Sequence, residues 1–205
     1  MTSPIALPGL PFPLLPSDVP RWHVSADGLR VTAEPHSDLF IDPSGDGQTA
    51  AESQLNAVTL LGEPPAGDFT LSARVRVGFG STFDAGVLLI WADERNWAKL
   101  CFELSPDGER MVVSVVTREV SDDANGFVVT GDDVWLRVSR VGSVVAFHAS
   151  VDGRRWSFVR AFALPGVASA RLGFEAQSPT GGGCDVAFAD IAFEQRTLPD
   201  LRDGS

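Results

Sequence analysis

The sequence has few of the residues that build metal centres or disulfide frameworks. Of its 205 residues only two are cysteine and three are histidine. Cys101 and Cys184 stand alone in apolar runs with no CxxC pair or Cys/His cluster, so a zinc site is not expected. A disulfide between them stays open, because a domain of this size does not require one. His23, His36 and His148 lie in unrelated segments without metal-ligand spacing.

The chain also lacks an excess of positive charge. Lys and Arg number 16 against 27 Asp and Glu, a formal net charge of −11. Nucleic acids and anionic membrane surfaces are bound by clustered cations, so the charge argues against both partners. No apolar run reaches the ~20 residues of a membrane-spanning helix. The N-terminus has five prolines between residues 4 and 16 and no basic start, which indicates an extended arm rather than a signal peptide and favours a cytoplasmic protein.

Hydrophobic patterns with the period of a helix are nearly absent, and short runs of β-branched and aromatic residues alternate with turn residues instead. The clearest strand covers residues 69–77, where one face is apolar and the other polar. Further strands are predicted at 22–24, 29–33, 55–61, 85–92, 97–104, 111–118, 134–141, 144–151, 156–162, 170–177 and 185–194. About a dozen strands exceed what one open sheet holds comfortably, which predicts an all-β sandwich of two packed sheets.

The sequence predicts a single sandwich domain over residues 22–196. We expect residues 1–21 to form a proline-rich arm packed on this domain, and residues 197–205 to form a frayed tail. The glycine run at 181–183 lacks the Lys-Ser/Thr pair and the helix that follow a phosphate-binding loop. Neither a metal nor another cofactor is therefore expected.

The segment NWAKLCFEL at 96–104 has the most informative pattern in the chain. As a strand it would direct one set of residues to the core: Ala98, Leu100, Phe102 and Leu104. Its other face would then hold Trp97, Lys99, Cys101 and Glu103. An aromatic ring, a cation and a carboxylate in one row could bind a polar ligand, or they could form an ordinary solvent face with a cross-strand ion pair.

Carboxylates on other strands raise the alternative of a glycosidase, which uses two of them. In the predicted strand at 170–177, Leu172, Phe174 and Ala176 face the core, and Glu175 lies on the opposite face. Asp84 lies at the start of another predicted strand. The Glu-x-Asp-x-Glu row expected of the sandwich-fold retaining glucanases and the Gly-x-Ser-x-Gly elbow of hydrolases are both absent. The sequence therefore favours a protein that is not an enzyme.

Six segments in order resemble one known family. They are SDLF at 37–40, DAGVLL at 84–89, NWAKLCFE at 96–103, SVVTREVSD at 114–122, SVDGRRW at 150–156 and GFEAQSP at 173–179. Together they are similar to the regulation-of-enolase family, domain of unknown function 1349, from about residue 22 to about residue 193. The resemblance implies a concanavalin A-like jelly-roll sandwich, without an established activity and with a link to the control of enolase.

The resemblance also implies a set of polar site residues: Asp38, Asp84, Lys99, Glu103, Thr117, Ser121, Asp122 and Glu175. With Trp97 they make up the predicted ligand site. Two departures weaken the aromatic wall that the family pattern would supply. Phe40 stands where tryptophan is common, and Asp123 and Ala124 replace a Trp-Ser pair.

Three functions remain as hypotheses at the level of the sequence. The first is a lectin-like module whose concave sheet binds a small polar ligand, such as a saccharide, with Trp97 stacking on it. The second is a carbohydrate-active hydrolase that uses Glu103 with Glu175 or Asp84. The third is a protein that regulates a metabolic enzyme by direct contact.

Acidic segments at 42–47 and 121–125 offer oxygen ligands for calcium, but neither matches a defined calcium loop, and we interpret both as solvated turns.

Overall fold

A computed structural model describes residues 3–18, 21–44 and 53–205, and almost all of its regular structure is β-strand. The strands are β1 (Leu15–Pro16), β2 (Trp22–Ser25), β3 (Gly28–Thr32), β4 (Leu39–Phe40), β5 (Gln54–Leu55), β6 (Val58–Gly62), β7 (Phe69–Val77), β8 (Ala85–Asp93), β9 (Asn96–Leu104), β10 (Arg110–Arg118), β11 (Val120–Val128), β12 (Asp133–Val141), β13 (Val144–Ser150), β14 (Ser157–Ala163), β15 (Arg171–Gln177) and β16 (Asp185–Glu194). One short 3-10 helix, Val167–Ser169, precedes β15.

Two seven-stranded antiparallel sheets contain nearly all of these strands. The first sheet has the order β1-β6-β15-β8-β9-β10-β11, and the second has the order β14-β13-β12-β7-β16-β3-β2. Strands β4 and β5 form a separate two-stranded ribbon. This arrangement confirms the predicted all-β jelly-roll sandwich.

The main core lies between the two sheets and is built by strict alternation along the strands. Ala98, Leu100 and Phe102 of β9 are fully buried in it, as the sequence predicted, whereas Leu104 at the strand end is only partly buried. Phe174 of the first sheet meets Phe188 of the second with ring centroids 4.9 Å apart. Side chains from the two sheets therefore interdigitate across the sandwich.

Strand β11 was not predicted from the sequence, which led us to interpret residues 121–125 as a turn. In the structure β11 pairs with β10 along its length and forms an edge of the first sheet. Because an edge strand is exposed on several sides, it can carry polar residues at successive positions. It then lacks the alternation of apolar and polar residues that identifies a half-buried strand. The predicted strand at 55–61 is also shorter, since β6 begins only at Val58.

Both ends of the chain pack on the sandwich. The N-terminal arm adds β1 to the edge of the first sheet and buries Leu14 completely. The sequence predicted a frayed tail after residue 196, whereas Leu198 is buried and the carbonyl of Gly204 accepts a hydrogen bond from Arg137 of β12. Among the described residues, no helix has the length and apolarity needed to cross a bilayer.

Gly86 of β8 sets how closely the two sheets approach, which gives a test of the packing. A Cβ added at this position would lie 2.6 Å from methyl carbons of both Val75 and Val186 on the second sheet. We expect Gly86→Ala to lower the free energy of unfolding by about 1–3 kcal/mol through overpacking. Urea unfolding measures this change, with Gly182→Ala as the control because an added Cβ there meets no atom within 4 Å. Equal stability of the two variants would contradict the close packing.

Candidate functional site

The first sheet has a second apolar layer on its outer face, the face turned away from the second sheet. The buried members of this layer are Leu39, Ala57, Leu61, Ala85, Val87, Leu89, Trp97, Cys101, Val113 and Val115. The sequence predicted an open, ligand-facing row here, but Trp97 and Cys101 are fully buried. Strand β10 is apolar on both faces for the same reason, because each face packs against a hydrophobic layer.

The outer face is covered by residues 37–44 and 53–57, here called the cover. Backbone hydrogen bonds join Ser37 to Ser178 just beyond β15, and the carbonyl of Asp38 accepts from the amides of Asn56 and Ala57. The Ile41 amide donates to the hydroxyl of Ser121 at 2.9 Å on the opposite side. The cover is thus tied to the first sheet on both sides of strand β9.

Lys99 lies beneath the cover and is the only lysine in the sequence. It is 2% exposed, and its Nζ donates to Asp38 Oδ1 at 2.6 Å and to Gln177 Oε1 at 2.7 Å. Burial opposes the charged form, but the acidic groups around Lys99, with the bonded carboxylate of Asp38 foremost, outweigh it and hold the pKa of Lys99 above its ordinary value. Lys99 is therefore a buried, permanently charged group that joins the cover to β9.

A cleft of about 440 Å³ opens beside Lys99 between the cover and the sheet. Its walls combine carboxyl, amide and hydroxyl groups with phenyl rings and valine side chains. The lining residues are Asp38, Phe40, Gln54, Phe83, Lys99, Glu103, Val113, Val115, Asp123, Gln177, Pro179 and Thr180. A pocket with a few polar groups on apolar walls is typical of a small-molecule site.

Glu103 and Glu175 are two carboxyl groups on the same outer face, with strand β8 between them. Glu103 pairs with Ala85 on β8, and Glu175 pairs with Val87 two residues further along. Burial raises the pKa of each to about 8, and the neighbouring carboxylate of Asp38 adds to the effect against the opposing charge of Lys99. Both groups are therefore mostly protonated at neutral pH.

Glu175 is the more isolated of the two acids. It is fully buried, and neither carboxyl oxygen has a hydrogen-bond partner among the described residues. An unpaired buried carboxylate is costly, so the group is held neutral instead. Four of the predicted site residues, namely Asp38, Lys99, Glu103 and Glu175, thus come together at or just beneath the cleft.

Trp97 is not available to a ligand, contrary to the prediction that it would stack on one. Its ring is fully buried and lies parallel to Trp91, with centroids 6.1 Å apart. Asp84 is also buried, and its carboxylate accepts from the amides of Gly80 and Ser81 and from the hydroxyl of Ser178. These bonds organise the loop before β8, so Asp84 fixes a turn and does not line the cleft.

The remaining predicted residues lie on or beside strand β11. Thr117 and Ser121 are buried and hydrogen-bonded to each other at 2.8 Å, which anchors the cover. Asp122 is exposed on the opposite face of β11 and pairs with Arg160 of β14 at 3.0 Å. That ion pair links an edge of one sheet to an edge of the other and lies away from the cleft.

Asp123 and Gln177 are two of the polar cleft residues that the predicted set lacked. Asp123 pairs with Val115, which pairs in turn with Lys99, so all three share the outer face. The signal was present in the strand alternation, since Thr117, Ser121 and Asp123 follow one face once β11 is recognised as a strand. Gln177 lies two residues after Glu175 and shares its face for the same reason.

No group of three or more potential metal-ligating His, Cys, Asp or Glu side chains occurs in the part of the chain that the structure describes. Of the two acidic segments considered for calcium, 121–125 is strand and 45–47 lie outside the described residues. The two cysteines are free and buried. Cys101 belongs to the outer apolar layer, while Cys184 belongs to the main core.

A protein family described as "Protein of unknown function (DUF1349)" matches residues 18–196. The chain belongs to this family. It is similar to a solved structure described as a functionally unknown protein from Saccharomyces cerevisiae, with 24% identity and a TM-score of 0.78. The match covers 90% of this chain and 97% of the yeast chain. No curated protein matches this sequence.

Two further structural neighbours of this DUF1349 member come from proteins with carbohydrate-related names. The GH43 protein BlXynB from Bacillus licheniformis is 11% identical with a TM-score of 0.68, and the match covers 90% of this chain but only 37% of that one. The carbohydrate-binding module CBM66 from Bacillus subtilis is 15% identical with a TM-score of 0.53, covering 84% of this chain and 90% of the module. At these identities the likeness establishes the sandwich fold alone.

The neutral state of Glu175 predicts how stability depends on pH. Its pKa in the fold, about 8, lies above the ordinary 4.5, so between these values the folded protein binds more protons than the unfolded chain. The stability conferred by the neutral acid is complete below pH 4.5 and is lost as the pH rises through about 8. We expect Glu175→Gln, which mimics the neutral acid, to lose less stability between pH 6 and pH 9 than the unchanged protein.

Urea unfolding at the two pH values measures this difference, and Glu63→Gln serves as the control on an exposed side chain. The pH dependence that remains in Glu175→Gln includes the contribution of Glu103. An unchanged loss of stability in Glu175→Gln would show that Glu175 is ionised in the folded protein.

Proposed function

We propose that this protein is a binding module whose cleft on the outer face of the first sheet takes a small polar ligand, of which a saccharide is the best fit. The observation that carries the proposal is the buried Lys99 ammonium, held at the cleft by Asp38 and Gln177. A lysine with two partners has a third N–H available. It can therefore donate to a ligand from a fixed position.

The other lining groups supply the complementary contacts that a polyol requires. Glu103, when protonated, donates a hydrogen bond, while the carboxylate of Asp123 accepts one. Phe40 and Phe83 offer partly exposed rings at the cleft, and these rings take over the stacking role that the sequence assigned to Trp97. Alternating donors and acceptors beside an aromatic wall suit neighbouring sugar hydroxyls.

The structural neighbours support a saccharide as the ligand only through their shared fold. CBM66 carries the name of a carbohydrate-binding module, and its sandwich resembles this one over most of both chains. Because one sandwich fold serves binders and enzymes alike, the choice of a saccharide rests on the chemistry of the cleft.

A hydrolase is the second candidate, favoured by the raised pKa of Glu103 at the wall of the cleft. A carboxyl group that stays protonated near neutral pH is suited to act as a general acid. The partners considered from the sequence are poorly placed, since Glu175 is fully buried and Asp84 is bonded within its own loop. Asp123, which lines the same cleft, is the better second carboxylate.

Regulation of enolase or of another metabolic enzyme remains a proposal that rests on the family resemblance. It requires a protein partner, and a pull-down against glycolytic enzymes tests it. Residence in the cytoplasm, which the sequence predicted, would place the protein beside such partners.

Neighbouring aspartates on β11 provide a matched pair of variants for the binding proposal. Asp123 lines the cleft, whereas Asp122 faces away from it and pairs with Arg160. A glycan array and calorimetry with sugar phosphates identify the saccharide that binds best. We expect Asp123→Ala to weaken its binding about tenfold, the value of one hydrogen bond to a charged group, and Asp122→Ala to leave the dissociation constant unchanged.

Lys99 provides a second readout, because a single lysine gives a single side-chain ammonium signal in NMR spectra. The saccharide is expected to shift this signal in the unchanged protein. If no saccharide or sugar phosphate binds, or if both aspartate variants weaken binding equally, the cleft is not the site.

Turnover of aryl glycosides separates the second candidate from the first. If the cleft is catalytic, Glu103→Gln lowers kcat by at least about a hundredfold, the usual contribution of a general acid. The binding module predicts no turnover by the unchanged protein and only an altered affinity in Glu103→Gln. Measurable hydrolysis abolished by Glu103→Gln would replace the binding proposal with the enzymatic one.

A further inference from the structure

A second buried polar group lies on the outer face of the other sheet, the face of β14-β13-β12-β7-β16-β3-β2 turned away from the main core. Arg137 of β12 and His148 of β13 are directly paired across the two strands. Arg137 is 6% exposed and His148 is fully buried. Charged side chains are rarely buried to this extent unless an opposite charge accompanies them.

Arg137 has no carboxylate partner in the described structure. Its Nη2 donates to the carbonyl of Gly204 at 2.6 Å, and its Nε has no hydrogen-bond partner. The guanidinium lies 4.2 Å from the ring centroid of Trp156, which fixes its plane. Burial, with the nearby charge of Arg196, lowers the pKa of Arg137 to about 10. Glu194 acts in the opposite direction but is bonded to Arg196 instead.

Two more polar atoms on the same face lack partners. His148 bonds through Nε2 to the carbonyl of Leu201 at 2.8 Å, while its Nδ1 has no partner. Ser139, two residues beyond Arg137 on β12, is fully buried with an unpaired hydroxyl. A buried polar atom without a partner lowers stability, so such a cluster is unusual for a purely structural surface.

Residues 198–204, here called the strap, lie over this cluster. Leu198 is buried, and the guanidinium of Arg202 lies 4.9 Å from the ring centroid of Phe158. The backbone carbonyls of Leu201 and Gly204 accept hydrogen bonds from His148 and Arg137 of the sheet. The strap follows the last residue that the family matches, residue 196, whereas Arg137, His148 and Trp156 lie within the matched region. The face beneath the strap thus lies within the matched region, and the strap lies outside it.

We infer that Arg137, His148 and Trp156 form a second binding site, specific for a carboxylate group, and that the strap occupies it as a substitute ligand. The Nε and Nη2 donors of an arginine lie on one edge of the guanidinium and bind both oxygens of a carboxylate. The Gly204 carbonyl uses only one of these donors. A carboxylate would use both and would supply the missing negative charge. The strap gives Arg137 only the neutral carbonyl oxygen of Gly204, because its Asp200 and Asp203 accept from the amides of Arg202 and Ser205 instead.

Gly204 allows the strap to be displaced without shortening the chain. Its φ is +74°, and an added Cβ would lie 2.5 Å from Arg137 Nη2 and 2.9 Å from the Cβ of Trp156. Gly204→Ala should therefore release the strap, which increases cleavage by trypsin after Arg202. Gly108→Ala is the matched control, since Gly108 has a similar φ of +78° and no atom within 4 Å of an added Cβ.

Acetate is the probe, and the ring signals of the three histidines in NMR spectra report where it binds. In Gly204→Ala we expect acetate to shift the His148 signals with a midpoint about tenfold lower than in the unchanged protein or Gly108→Ala, because the competing strap is gone. Chloride at the same ionic strength should leave His148 unmoved. Arg137→Lys in the Gly204→Ala background should raise the midpoint about tenfold, since an ammonium cannot bind both oxygens.

The larger side chain of Gly204→Leu decides the test if trypsin shows that alanine leaves the strap docked. The inference is overturned if His148 does not respond to acetate once the strap is released, or if chloride and acetate act alike. A shift confined to His23 or His36 would also overturn it. Saccharide binding at the first sheet has no bearing on any of these outcomes.

Discussion

The ion pair between Lys99 and Asp38 is the interaction on which the arrangement of the first sheet's outer face depends. A lysine that is 2% exposed stays charged only if an opposite charge reaches it, and that charge comes from the cover rather than from the sheet. The cover must therefore lie over β9 with Asp38 directed inward. Its backbone bonds to Ser178 and the bond from Ile41 to Ser121 hold it in that position.

The ion pair between Lys99 and Asp38 also determines the protonation state of the neighbouring carboxyl groups. Because Asp38 already balances Lys99, the cluster has no second cation for Glu103 or Glu175, and burial keeps both acids protonated near neutral pH. The cleft consequently presents hydrogen-bond donors and acceptors with little net charge, apart from Asp123 at its edge. Such a surface discriminates by the positions of hydroxyl groups more than by charge, which is the discrimination that saccharide binding needs.

Strand phasing was enough to predict which residues share a face, but not which faces are covered. The alternation in β9 correctly separated Phe102 from Lys99, because side chains alternate strictly along a strand. It could not show that Trp97 is buried, since its burial comes from an apolar layer shared with the cover, 40 residues or more earlier in the chain. Asp123 was missed for a related reason: an edge strand of polar residues resembles a loop until its pairing with β10 is known.

The two sheets treat a buried cation in opposite ways, and the contrast distinguishes a completed site from an open one. On the first sheet the covering segment brings Asp38 to Lys99, so the charge is neutralised and the pKa of the lysine rises. On the second sheet the strap brings only the carbonyl of Gly204 to Arg137, so the charge stays uncompensated and the pKa of the arginine falls. A covering segment selected for stability alone would be expected to bond each guanidinium nitrogen, as the carbonyls of Gly67 and Val167 do for the buried Arg140. The missing carboxylate beside Arg137 therefore points to a ligand that brings its own.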